Sequence, residues 1–160
     1  MTNDTDGILI RRAHAGDDAG ARAVHRAAFG PLRPIYRATG EAAARQEQRF
    51  QEGQRIVAEA HGEIVGTLQV VSRETDIHLM GLAVDPGYRG RGVASKLVQW
   101  AIAHARERGY PLVTLVAVRE AGTVPFFQRL GFTIAEESVA DWATSDIHDT
   151  VHNVAMEFRV

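Results

Sequence analysis

The chain has 160 residues, 45% of them hydrophobic and 24% charged, with a formal net charge of -2 and a pI near 6.4. That length fits one ordinary domain with enough apolar content for a core, and the slight acidity argues against a nucleic-acid partner, which would need a basic surplus. No cysteine occurs, which removes disulfides, zinc–thiolate sites and cysteine nucleophiles and agrees with a cytoplasmic location; no apolar run approaches spanning length, so no membrane association is expected.

Residues 1–7 are polar and acidic and read as a disordered tail before a single domain over 8–160. Ile8, Leu9 and Ile10 open a first strand, and Asp17 or Asp18 can cap a helix that runs through Val24 to Phe29 and stops at Gly30-Pro31. Residues 41–50 form a polar, alanine-rich helix stopped by Gly53. Residues 56–60 and 64–71, joined at His61-Gly62, read as an antiparallel hairpin, and 77–84 as a third strand beside it.

The stretch 79–108 organises the rest. An apolar strand end is broken by Asp85-Pro86-Gly87, and a glycine-rich turn leads into a helix with Ala94, Leu97, Val98, Ala101, Ile102 and Ala105 on one face. Backbone N–H groups and the positive end of the helix dipole then converge on one spot, which suits an anion. Residues 112–118 form a continuous apolar strand, 122–130 a short helix ended by Gly131, 132–139 a strand, 140–150 a polar loop and 151–158 a last strand. The order is β-α-α-β-β-β-α-β-α-β-β, an α/β layout on a mixed sheet.

Spacing decides which phosphate group the turn suits. A nucleotide P-loop needs Lys-Ser/Thr after its last glycine, and here Gly92 is followed by Val93-Ala94. A dinucleotide fingerprint needs a third glycine or alanine where Ser95 stands. Leu82-Ala83-Val84-Asp85-Pro86 followed by Arg89-x-x-Gly92-x-Ala94, however, resembles the acetyl-CoA motif of the GCN5-related N-acetyltransferase (GNAT) superfamily. Phe126-Phe127-Gln128-Arg129-Leu130-Gly131-Phe132 resembles that family's second signature.

The resemblance implies the GNAT fold: a mostly antiparallel seven-stranded sheet flanked by about four helices. It implies acetyl-CoA as co-substrate, with its pyrophosphate on the turn formed by Arg89, Gly90, Arg91, Gly92, Val93, Ala94 and Ser95. The pantetheine arm would pair with Leu82, Ala83 and Val84, whose backbone would also polarise the thioester carbonyl, and Phe127 would border the cofactor. His78 falls where some members carry a glutamate base, and a histidine can accept a proton near neutrality.

The usual proton donor is absent, because Phe127 stands where many members have tyrosine and Glu120 where the signature often has asparagine. A non-catalytic CoA-binding or regulatory module is therefore the alternative to an enzyme acetylating a primary amine of a small molecule or peptide. The acceptor pocket should come from 31–36, 73–76 and 140–150, with Tyr36 and Arg73 as candidate substrate residues, and the resemblance implies a homodimer through the last strands. No metal is expected: the pentapeptide from His148 to His152 straddles a loop and a strand, and a zinc-protease pair needs one helix face.

Overall fold

A computed structural model describes residues 7–160 together with the backbone of Thr2–Asn3. Met1 and residues 4–6, most of the tail expected over 1–7, lie outside the described residues. Strand β1 (Ile8–Arg12) buries Ile8 and Ile10 on one face, as period-two alternation requires, and pairs with Thr2–Asn3 along its outer edge. After a 3-10 turn at Ala15–Asp17, helix α1 (Asp18–Phe29) buries Ala21 and Val24.

The single helix expected over 41–50 is two short ones, α2 (Gly40–Ala44) and α3 (Gln46–Phe50), with Arg45 between them at φ −94° and ψ 0°. Neither has a buried side chain, so no apolar face holds them in one line. Strands β2 (Gln54–Ala60) and β3 (Glu63–Ser72) make the expected hairpin. Its tip residues His61 and Gly62 have φ of 52° and 79°, the paired positive values that match a two-residue turn to strand twist.

Strand β4 (Asp76–Val84), helix α4 (Val93–Arg108), strand β5 (Leu112–Val118), helix α5 (Val124–Arg129), strand β6 (Thr133–Val139) and strand β7 (His152–Arg159) complete the order. Beyond Thr2–Asn3, the sheet runs β1-β2-β3-β4-β5-β7-β6, seven strands as expected. Every pairing is antiparallel except β4 with β5. A parallel pair needs a crossover, and α4 supplies it. Leu97, Val98, Ala101, Ile102 and Ala105 pack with Ile56, Leu68, Ile77, Leu79, Val113 and Leu115 in the main core. Val93 joins them fully buried, whereas Ala94 is only partly covered.

Two half-sheets result, β1 to β4 and β5-β7-β6. They share only the ladder from Asp76↔Leu112 to Leu79↔Leu115. Among the described residues no helix is long and apolar enough to cross a membrane.

Candidate active site

The ladder between β4 and β5 stops at Leu79↔Leu115, although both strands continue. Beyond it β4 pairs only with β3, up to Val84↔Gly66, and β5 only with β7, up to Val118↔Asn153. Two facing strand edges therefore part, each with backbone donors and acceptors that no strand satisfies, and an extended polar ligand can pair there.

A bulge in β4 lies where the parting begins. Between Gln69↔Met80 and Thr67↔Ala83 the register slips by one residue of β4, and Gly81 sits within the slip at φ 65°. A Cβ on Gly81 would meet Gln69 Oε1 at 2.6 Å. Gln69 is itself buried and pinned, its Nε2 donating to the carbonyls of Arg49 at 2.6 Å and Glu52 at 3.0 Å. Only glycine suits both the backbone angle and the contact.

The glycine turn forms as expected. Asp85 accepts from the Gly87 N–H at 2.8 Å and its own N–H donates to Val65 at 2.8 Å, which fixes the turn to β3. Gly90 and Gly92 both take φ of 77°, and α4 begins at Val93 with no side-chain cap. The first-turn N–H groups of Val93, Ala94 and Ser95 have no carbonyl partner within the helix, and they point out beside the exposed Arg89, Gly90, Arg91 and Gly92. Gly66 lets the helix start lie close on β3, since a Cβ there would stand 2.7 Å from Val93 Cγ1.

His78 lies on the face of β4 opposite Ile77 and Leu79, directly across from Thr114 on β5. Its Nδ1 is 2.9 Å from Thr114 Oγ1, and that hydroxyl donates in turn to the Asp76 carboxylate. With the threonine proton committed to Asp76, the Thr114 oxygen accepts from the ring. This selects the Nδ1–H tautomer and leaves Nε2 as an acceptor. Burial, helped by the charges of Arg73 and Arg49 and opposed by Asp76, pushes the imidazole down to about 4, so it is neutral at physiological pH.

Of the three segments expected around an acceptor pocket, two meet, 31–36 and 140–150. Arg37–Ala38 pairs with Ala143–Thr144, Arg37 bonds Asp146 at 2.9 Å, and the Asp146 N–H donates to the Pro34 carbonyl at 2.9 Å. Tyr36 is half-buried against Val118, Ala140 and Val151 and meets Trp142 edge-on at 6.0 Å, and burial raises its phenol. Arg73 is exposed, and its N–H closes the turn before β4 by donating to the Asp76 carbonyl at 2.9 Å.

Phe127 lies in the core, 5.1 Å from the Phe126 ring centroid and 5.9 Å from that of Phe132. Glu120 accepts from both the backbone and the ring of His152. Among the described residues no group of three His, Cys, Asp or Glu side chains could hold a metal ion. Two concavities of about 590 and 500 Å³ lie away from the parting, and Arg11 in the first is already paired with Asp17 and Glu59.

Residues 15–132 match the Acetyltransferase (GNAT) family, and the chain belongs to it. An uncharacterized N-acetyltransferase of Methanocaldococcus jannaschii is 36% identical over 97 residues, 54% of this chain and 42% of that protein. N-acetyltransferase 8 of Rattus norvegicus is 35% identical over 95 residues, 55% of this chain and 43% of that protein. The chain thus covers less than half the length of these two relatives.

The fold is shared with solved structures. The ribosomal-protein-S18-alanine N-acetyltransferase from Escherichia coli matches with a TM-score of 0.76 and 15% identity, over 96% of this chain and 94% of that one. A GNAT family acetyltransferase from Elizabethkingia anophelis, solved with acetyl-CoA bound, matches with a TM-score of 0.73 and 15% identity, over 98% of this chain and 100% of that one.

Proposed function

We propose that the protein transfers an acetyl group from acetyl-CoA to a primary amine of a small molecule or peptide by direct attack. The observation that carries this reading is the parting of β4 from β5 beside an uncapped helix start. The two features suit the two halves of one ligand. Leu82, Ala83 and Val84 would pair with the pantetheine arm and turn backbone N–H groups toward the thioester oxygen. The turn from Arg89 to Ser95 would hold the pyrophosphate, each charge-assisted bond contributing roughly 1.5–3 kcal/mol. Acetyl-CoA supplies an activated acyl thioester.

His78 is the proton acceptor for the attacking amine. An ordinary amine with a pKa of about 10.4 is charged at neutral pH, which costs roughly 4.6 kcal/mol before attack. With Nδ1–H held by Thr114, Nε2 can take the proton directly or through water. Tyr36 and Arg73 border the acceptor, whose class the loop chemistry leaves among polyamines, aminoglycosides, amino acids and peptide N-termini. A homodimer through β6 and β7 and a cytoplasmic location complete the reading, supported by the exposed edge strand β6 and the absence of cysteine.

Calorimetry with acetyl-CoA is the decisive experiment, and no heat of binding at millimolar ligand would overturn the proposal. Thiol release with an amine panel then separates an enzyme from a non-catalytic CoA-binding module, the second reading that Phe127 in the core favours. An enzyme turns over with at least one acceptor, keeps turnover as Phe127→Tyr and loses it as His78→Ala.

A further inference from the structure

Acetyl transfer moves one proton onto the departing sulfur, and α5 brings none. Phe127 has no acidic proton, and the residue is 8% exposed, packed between Phe126 and Phe132. Across β5 from the parting, at the same end of that strand, stands a histidine. His152 opens β7, next to Asn153, which pairs with Val118 at the end of β5. On the turn Arg119–Ala121 that follows β5, Glu120 turns both carboxylate oxygens to this residue. Oε2 is 2.7 Å from the ring Nδ1, and Oε1 accepts the His152 backbone N–H at 2.7 Å.

One carboxylate gripping both main chain and ring fixes the imidazole, directs Nδ1–H at Glu120 and leaves Nε2 outward. The Glu120 side chain is 13% exposed and that of His152 36%. The carboxylate is therefore sheltered while the ring keeps an open edge. Besides Glu120, Glu137 from β6 acts on the ring electrostatically, and it is itself paired with Arg119 from the same turn.

We propose that His152 is the proton donor to the departing CoA thiolate, with Glu120 as its positioning residue; this rests on the acetyl-transfer reading above. As the amine nitrogen bonds the carbonyl carbon and the C–S bond breaks, a proton passes from Nε2 of His152 to sulfur. The amine proton leaves to Nε2 of His78. One amine and one thioester give one amide and one thiol, and each histidine recovers its starting form by exchange with solvent.

The test uses coenzyme A and needs no acceptor. A thiol beside an imidazolium ionises more readily. Bound to the wild-type protein, the CoA thiol is expected to ionise about tenfold more readily than a free thiol of pKa about 8.5, read by thiolate ultraviolet absorbance across pH. His152→Gln should return it to the free value with the CoA dissociation constant changed less than about threefold. Glu120→Gln, which keeps an acceptor for the backbone N–H but removes the counter-charge, should recover at least half of the shift and guards against a folding defect in the first variant. A wild-type complex whose thiol is not lowered, or a lowered thiol that both variants leave in place, overturns the role of His152. Failure of the wild-type protein to bind CoA overturns the acetyl-transfer reading itself.

Discussion

Thr114 links Asp76 to His78 by hydrogen bonds: the threonine hydroxyl donates to the carboxylate and stands 2.9 Å from the imidazole Nδ1. The three residues lie at the ladder joining the half-sheets, so the parallel pairing that ends at Leu79 also orients the proposed base. Thr114→Val keeps the shape and removes the hydroxyl. It is expected to lower kcat about tenfold with little change in KM for acetyl-CoA, whereas His78→Ala lowers kcat by about a hundredfold or more. An unchanged kcat in steady-state assays of Thr114→Val would remove the tautomer argument.

The pH profile follows from the same burial. A histidine held down to about 4 stays neutral as pH falls from 7 to 5, so the acid limb of kcat/KM set by His78 should appear near pH 4 rather than near the ordinary value of about 6.5. Acid stability carries the complementary sign. As pH falls through 6.5 the unfolded chain binds this proton first, so stability drops between about 6.5 and 4 and levels off below. His78→Gln should flatten that part of the urea midpoint curve.

Lower in pH a different group takes over. Asp17, with a side chain 7% exposed, accepts from Arg11 at 2.7 and 2.9 Å and from the His14 N–H at 2.8 Å. Arg11 holds this carboxyl down to about 2 from 3.8 against the opposing effect of burial. Its contribution is complete above pH 3.8 and is lost as pH falls toward 2. Asp17→Asn should lower the denaturation midpoint at pH 7 and converge with wild type in strong acid. Parallel curves across the whole range would refute the assignment.

Gly81→Ala tests the bulge. The added methyl meets Gln69 Oε1 at 2.6 Å on a backbone at φ 65°, a cost of about 1–2 kcal/mol. If β4 relieves this by straightening, the parting narrows. Calorimetric affinity for acetyl-CoA should then fall by more than the loss of folding stability alone explains, and equal affinity in a folded variant would show that the bulge does not shape the site.

Arg37→Ala opens the contact with Asp146 that ties the two loops proposed to border the acceptor. An exposed ion pair contributes under about 1 kcal/mol, so acceptor KM should rise by no more than about fivefold while acetyl-CoA affinity is retained. A loss confined to acetyl-CoA affinity would place these loops on the other side of the site.

Strand and helix positions were legible because periodicity reports burial directly, as at Leu97, Val98, Ala101 and Ile102. The turn was legible because phosphate chemistry demands glycines at set offsets. Asp76 and Thr114 were not singled out, although both carried a signal: Asp76 shares a strand face with His78 two residues on, and Thr114 is the one polar residue in its apolar run. Their meeting depends on cross-strand register, which a single chain does not display. Arg45 broke an expected helix for the opposite reason, since polar residues with no face to bury leave helix continuity undetermined.

The narrow ladder between the half-sheets has a mechanical consequence. The four rungs between β4 and β5 leave the ends of both strands unpaired with each other, and a ligand pairing with both strand edges would add the rungs that the protein omits. Such a ligand at a hundred times its dissociation constant raises stability by about 2.7 kcal/mol, concentrated at that seam. Amide exchange in β5 and β7, and with it survival against proteases, then becomes a gauge of how much acyl donor the surroundings contain.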